Sequence, residues 1–531
     1  MILTLLLMTA LSPIPAAARW VPDLGDGRYQ NPVLYADYSD PDVVRVGGDY
    51  WMTSSSFNHV PGLPLLHSRD LVSWSLEGHA LPQLVPEENF ATPQHGKGVW
   101  APAIRHHAGK YWIYYPDPDF GLYVTTAVDP HGPWSAPVLV QGGQGLIDPC
   151  PLWDDDGRVY LIHGWAKSRA GINNVLTLLR LDASGSRVVE TLGVVIDGHR
   201  LPNYSTLEGP KLYKHDGWYY VFAPAGGVAT GWQSVFRARA IRGPYEDRIV
   251  LDQGKTPING PHQGALVDTP AGEWWFLHFQ DQGAYGRVVH LQPVVWRDSW
   301  PVIGNDPDGD GKGEPVLRHA KPALPTQSLA VPPTSDTFDS PSLGLQWQWQ
   351  ANPVANCFSL SGRHGALRLE AQPSALPNLA AAPYLLMQKF SAPRFTATTE
   401  MELASAGDAG GRAGLVVFGA DYAWIGLRRT SAGLEVVQAA CRDTSADHPE
   451  TIIATVPVTT VKISLRVTVT DGARCRFSYC ADGGAFIPLG DEFAAVAGRW
   501  VGAKVGVFAD AVGNAAAGHA DFLSFRVTSI P

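Results

Sequence analysis

Gly48-Asp-Tyr-Trp-Met-Thr53, Gly109-Lys-Tyr-Trp-Ile-Tyr114, Gly157-Arg-Val-Tyr-Leu-Ile162, Gly217-Trp-Tyr-Tyr-Val-Phe222 and Gly272-Glu-Trp-Trp-Phe-Leu277 are five copies of one pattern, a Gly-led turn followed by a short aromatic strand. Successive copies lie 61, 48, 60 and 55 residues apart, each interval long enough for one four-stranded sheet with its loops. Five such sheets set radially about an axis make a five-bladed β-propeller. Eight to ten residues upstream of the turns stand Asp40-Pro41, Trp100-Ala-Pro102, Asp148-Pro149, Glu208-Gly-Pro210 and Pro261-His262. One strand fits between each of these and its turn, so each group opens an innermost strand at the central channel. Three of the five positions are acidic. Like charges at short range repel, so stability alone gives no reason to crowd them there.

Outer-strand landmarks keep the same register. Ser68-Arg-Asp-Leu-Val-Ser-Trp74, Asp129-Pro-His-Gly-Pro-Trp134 and Arg242-Gly-Pro-Tyr245 read as turns between the last two strands of a blade. The propeller is assigned to residues 19–316 and a Pro/Ala/Ser-rich linker to 317–335. From 336 to 531 the pattern changes to strict two-residue alternation, as in Val461-Lys-Ile-Ser-Leu-Arg-Val-Thr-Val469. The turn Asp471-Gly472 and the run Arg474-Cys-Arg-Phe-Ser-Tyr479 follow it. This part reads as a β-sandwich of the concanavalin A-like jelly-roll kind, without an evident catalytic cluster. The whole chain is all-β.

Composition narrows the function. In 531 residues there are 45% hydrophobic residues, 55 Gly and 43 Pro, which suits packed cores with many tight turns. The net charge of −10 comes with no basic stripe, which argues against nucleic acid or an anionic membrane as partner. Core packing accounts for most of the eighteen Trp and eighteen Tyr, but flat rings with a polar edge also stack on sugars. Residues 1–18 read as a signal peptide, with an apolar run closed by Ala16-Ala-Ala18, so a secreted or periplasmic protein is expected. No later apolar run approaches the roughly 20 residues that span a bilayer. The five cysteines show no metal-type spacing; Cys475 and Cys480 read equally as a cross-hairpin disulfide or as free buried thiols.

Taken in order, Asn31-Pro-Val-Leu34, Ser39-Asp-Pro-Asp42, Gly98-Val-Trp-Ala-Pro102, Ile147-Asp-Pro149 and Leu207-Glu-Gly-Pro210 resemble glycoside hydrolase family 43 over residues 30–304. That family contains β-xylosidases and α-L-arabinofuranosidases, and many of its β-xylosidases carry a concanavalin-like sandwich. The resemblance implies an exo-acting, inverting hydrolase that releases terminal pentoses from plant cell-wall oligosaccharides. It implies Asp40 as general base, Glu208 as general acid and Asp148 as the residue that orients the acid and tunes its pKa. It places Trp100 in the wall of the sugar pocket, Arg287 near the sugar, and His262 beside a structural calcium in the central channel, with no organic cofactor. Cys150 departs from the family, many of whose members have Ser there. Phe57, after Ser54-Ser-Ser56, reads equally as pocket wall or as core.

The chemistry of the carboxylates agrees with these roles. Inverting hydrolysis needs one acid to protonate the leaving oxygen and one carboxylate to activate water on the opposite face, with a gap for that water. Strands on different sides of a propeller axis supply such a gap. A neighbouring carboxylate keeps the acid protonated. The competing reading is a non-catalytic glycan-binding propeller. Three carboxylates at equivalent channel positions weigh against it, because neutral sugars need fewer. Asp306-Pro-Asp-Gly-Asp310 has the alternation of a calcium loop but no Glu at its twelfth position, and reads as a solvated acidic turn. Oligomeric state is not legible in the sequence.

Overall fold

A computed structural model of the chain describes residues 20–374, 378–404, 410–444, 448–512 and 518–530. The segment read as a signal peptide lies outside them. No helix among the described residues is long and apolar enough to cross a membrane.

Five antiparallel four-stranded sheets follow one another as blades I to V. Their innermost strands are Asp42–Val46, Ala103–His107, Leu146–Trp153, Lys211–His215 and His262–Asp268. The aromatic repeats form the second strands, Asp49–Thr53, Lys110–Asp117, Val159–Trp165, Trp218–Ala225 and Trp274–Asp281. These carry near-continuous apolar runs because neighbouring blades cover both of their faces; Met52, Ile113, Leu161, Phe222 and Phe276 are fully buried. Outermost strands such as Val188–Asp197 are largely exposed, as befits blade edges. Asp42 ties blade I to blade II, its Oδ2 accepting the Ile104 N–H and an Arg105 N–H, each at 2.7 Å.

The ring is sealed by the chain's own ends. Arg28–Gln30 pairs antiparallel with Arg318–Ala320, so the first residues of the segment assigned to the linker complete the propeller's seal. The Asn31 side chain exchanges hydrogen bonds with both main-chain groups of Leu291 and donates to the Val316 carbonyl, all at 2.8 Å. Further along, Gln327 grips blade I, accepting from Arg69 N and donating to the Ser73 carbonyl.

The C-terminal part is a sandwich of two eight-stranded sheets. Alternation is strict on Phe395–Ala404 and Lys462–Thr470, whose inward residues are buried and outward ones half-exposed. All five cysteines are buried free thiols. The disulfide reading of Cys475 and Cys480 fails because both lie on one extended strand, Arg474–Cys480. At about 3.3 Å per residue they stand far beyond the 4.4–6.8 Å between Cα atoms that a disulfide spans.

The two domains share one apolar core and a backbone joint. Val60 and Trp349 exchange main-chain hydrogen bonds, and Asn352 forms a reciprocal pair with Leu84. The sandwich loop Gly498–Ala503 lies against residues 284–287 of blade V, where the Ala503 N–H donates to the Ala284 carbonyl at 2.7 Å.

Candidate active site

In blades I, II, IV and V the innermost strand begins just after a proline, whereas in blade III Asp148-Pro149 lies within the strand, where the pairing register shifts between Ile147 and Cys150. Asp40 and Asp148 hold φ of 54° and 56°, the left-handed region that Asp tolerates better than most side chains. The sharp turn points each carboxylate toward the axis. Blade IV solves the same problem differently. The residue before Pro210 is Gly209, with φ 58°, and the acid sits one position earlier on the longer side chain of Glu208. Trp100-Ala-Pro102 of blade II follows this second spacing.

These residues meet in one cavity of about 350 Å³, lined by Asp40, Asp148, Glu208, Phe57, Trp100 and Arg287 among others. Asp40 is the most firmly held. Its Oδ2 accepts the Ser55 hydroxyl at 2.5 Å, and Arg287 donates to its Oδ1 at 3.1 Å and to Ser39 Oγ at 2.9 Å. Charge-assisted donors of this kind stabilise the ionised form and fix its direction. The Oδ2 of Asp148 accepts the Gly209 N–H at 2.7 Å, so one contact joins the third carboxylate to the residue after Glu208. A Cβ placed on Gly164 would lie 3.8 Å from that Oδ2 and 3.7 Å from the Glu208 Cα, so the two acids converge over a glycine.

Glu208 has no such clamp. Its side chain keeps 24% exposure, and the His262 ring lies 3.7 Å from it. Burial, reinforced by the charges of Asp148 and then Asp40 and opposed by Arg287, pushes its pKa up to about 8. Asp148 is also raised, mainly by burial, with the Gly209 N–H, Lys211 and Gln263 working against the rise and Asp40 adding to it. Glu208 is therefore the carboxyl that stays protonated near neutrality. His262 is wholly buried, and neither ring nitrogen has a hydrogen-bond partner. Burial first, then Arg287 and His278, lower its pKa to about 3, so it is a neutral imidazole able to ligate. It lies beneath the cavity and does not line it.

Trp100 and Phe57 are walls of the cavity, their rings edge-to-face at 6.3 Å. The Arg169 guanidinium lies 5.3 Å from the Trp100 ring centre, and the Trp100 indole N–H donates to Gly96 O at 3.0 Å. One wall was not legible in the sequence. Trp500, from the sandwich, stands edge-on to Trp100 at 6.1 Å and 5.8 Å from the Arg287 guanidinium, with φ 66°. Trp165 and Gln263 also line the cavity. The blade register contained a signal for those two, since Trp165 ends an aromatic strand and Gln263 follows His262. Trp500 had only its setting between Gly498 and Gly502. The Asp306 carboxylate is held by Arg297 and by the N–H groups of Gly309 and Gly311, as in an acidic turn.

A propeller whose inner strands bring three carboxylates and stacking aromatics into one pocket defines a glycoside hydrolase. Residues 29–301 match the family "Glycosyl hydrolases family 43" and residues 335–528 the "Beta xylosidase C-terminal Concanavalin A-like domain". A provisionally assigned beta-xylosidase of Xylanibacter ruminicola is 39% identical over 91% of this chain and 86% of its own. A non-reducing end alpha-L-arabinofuranosidase of Bacteroides ovatus is 32% identical over 65% of this chain and 66% of its own. The crystal structure of a xylan beta-1,4-xylosidase from Bacillus halodurans C-125 superposes with a TM-score of 0.83, covering 94% of this chain and all of that one at 25% identity. The chain belongs to glycosyl hydrolase family 43. The non-catalytic reading is set aside.

Proposed function

We propose that the protein is an exo-acting, inverting glycosidase that releases terminal β-D-xylosyl or α-L-arabinofuranosyl groups from hemicellulose oligosaccharides of the plant cell wall. The observation that carries this reading is the cavity itself: a Glu208 whose pKa is raised, a clamped Asp40, and aromatic walls supplied by both domains. Glu208 donates its proton to the glycosidic oxygen as the bond breaks, and Asp148 keeps that proton in place by opposing a second negative charge. Asp40, oriented by Ser55 and Arg287, accepts a proton from the water that attacks the anomeric carbon from the other side. Arg287 and the rings of Trp100, Phe57 and Trp500 hold a single terminal sugar; the Trp500 wall supports exo over endo action.

The names of the relatives support xylose first and arabinose second. His262, orphaned and neutral in the channel below Glu208, fits one position in the shell of a structural calcium ion. Such an ion would supply a fixed positive charge under the site. We further propose that residues 1–18 direct export. Comparing initial rates on 4-nitrophenyl β-D-xylopyranoside and 4-nitrophenyl α-L-arabinofuranoside, for the wild type and Glu208→Ala, tests the function. Turnover that disappears in the variant supports the reading and the rate ratio names the sugar. No turnover of either by the wild type overturns it.

A further inference from the structure

Asp37 belongs to none of the motifs above, yet its carboxylate is 3% exposed and satisfies two main-chain donors from different domains. Its Oδ1 accepts the Arg287 N–H at 2.9 Å and its Oδ2 accepts the Gly502 N–H at 3.0 Å. The first donor belongs to the residue whose guanidinium clamps Asp40. The second lies two positions beyond Trp500.

The surrounding space is built for this junction. A Cβ on Gly286, whose φ is 75°, would fall 2.5 Å from the Asp37 carboxyl, and a Cβ on Gly502 would fall 2.7 Å from the Gly286 nitrogen. Both glycines are required for the two loops to meet around the carboxylate. The loop is otherwise lightly held. It closes on itself through Gly498 N–H to Val501 O and touches blade V through Ala503 N–H to Ala284 O. Two lysines of the sandwich, half-buried Lys389 and buried Lys504, lie nearby, and the Asp37 charge favours their protonated forms against the desolvation that disfavours them. A carboxylate shared by two buried N–H groups is a costly contact to lose, because both donors would be left unpaired.

We propose that Asp37 is a positioning residue whose single carboxylate locks the sandwich loop bearing Trp500 to the propeller segment bearing Arg287, so that the stacking wall and the cation of the sugar pocket are set together. This deepens the proposed function and rests on it for the identity of the bound sugar, though not for the lock itself. Asp37→Asn retains size but offers one acceptor for two donors. In the variant, amide hydrogen exchange should speed up together in peptides covering 284–289 and 498–504, with other regions unchanged. On 4-nitrophenyl β-D-xylopyranoside, KM should rise about tenfold in the wild-type background and less than about twofold in a Trp500→Ala background, the non-additivity expected of coupled residues. A purely structural role would lower stability without this dependence on Trp500. Exchange that changes in only one of the two peptides, or a KM rise of equal size in both backgrounds, would overturn the proposal. If Asp37→Asn does not fold, Gly502→Ala is the second variant, expected to produce the same paired exchange. If the wild type hydrolyses no pentoside, the functional reading falls while the exchange result still decides the lock.

Discussion

At the residue scale the site depends on an imbalance between carboxylates. Asp40 is held by two donors, Ser55 and Arg287, and Glu208 by none, and the proposed assignment of base and acid rests on that difference. Glu208→Gln should lower kcat on xylosides with poor leaving groups by about 10²–10⁴-fold, the usual share of a general acid, with little change in sugar binding. Initial rates and calorimetric titration with D-xylose check this. The acid must be protonated to work, so with a pKa raised to about 8 activity is lost as pH rises through that value. Asp148 raises Glu208 by charge repulsion, so Asp148→Asn should lower that pKa and move the alkaline limb of the kcat profile toward acid. An unmoved limb would deny Asp148 its tuning role. The identities of these three acids were legible because each stands at the same point of a five-fold repeat. The contacts that hold them were not, since bonds such as Gly209 N–H to Asp148 join separate blades.

At the element scale, the unit that matters is the pre-proline turn of the inner strands. The left-handed turn at Asp40 and Asp148 lets a short side chain reach the axis, whereas Gly209 takes the turn in blade IV and leaves Glu208 free to extend. Gly209→Ala would place a Cβ 2.8 Å from the Gln263 side chain in a conformation that disfavours any β-carbon. It should cost kcat at least tenfold through misplacement of Glu208, while thermal stability falls by only about 1 kcal/mol, as for Gly→Ala at a positive φ. Closure has its own element. Asn31→Ala removes three hydrogen bonds, two to Leu291 of blade V and one to the Val316 carbonyl. A shift in denaturation midpoint worth about 1–3 kcal/mol is expected, measured by urea titration with the m-value unchanged. Blade number, inner strands and turns were legible because aromatic strands buried on both faces repeat at near-regular intervals. The pairing of Arg28–Gln30 with Arg318–Ala320 was not, because strands of three residues each are too short to show a period.

At the scale of the whole molecule, the sandwich is part of the active site. Trp500→Ala should raise KM for both 4-nitrophenyl pentosides by about tenfold while leaving kcat within about threefold, since stacking contributes on the order of 1–1.5 kcal/mol to holding the sugar and nothing to proton transfer. Sequence reading found the sandwich but not which of its residues reaches the pocket. A lone Trp between two glycines has no register to say where it points, and contacts with Asp37 and residues 284–287 bring it over the pocket.

The seal made by Arg28–Gln30 and Arg318–Ala320 also decides where the polypeptide can be divided. A fragment ending at Val316 would forfeit one edge of that seal. A fragment ending after Pro333 would keep it, yet would leave the Val60 backbone without Trp349 and the pocket without one wall. Neither cut separates an enzyme from an accessory. The modular boundary written in the sequence is therefore a boundary of ancestry and folding pattern, and the smallest piece that can be expected to work is the two domains together.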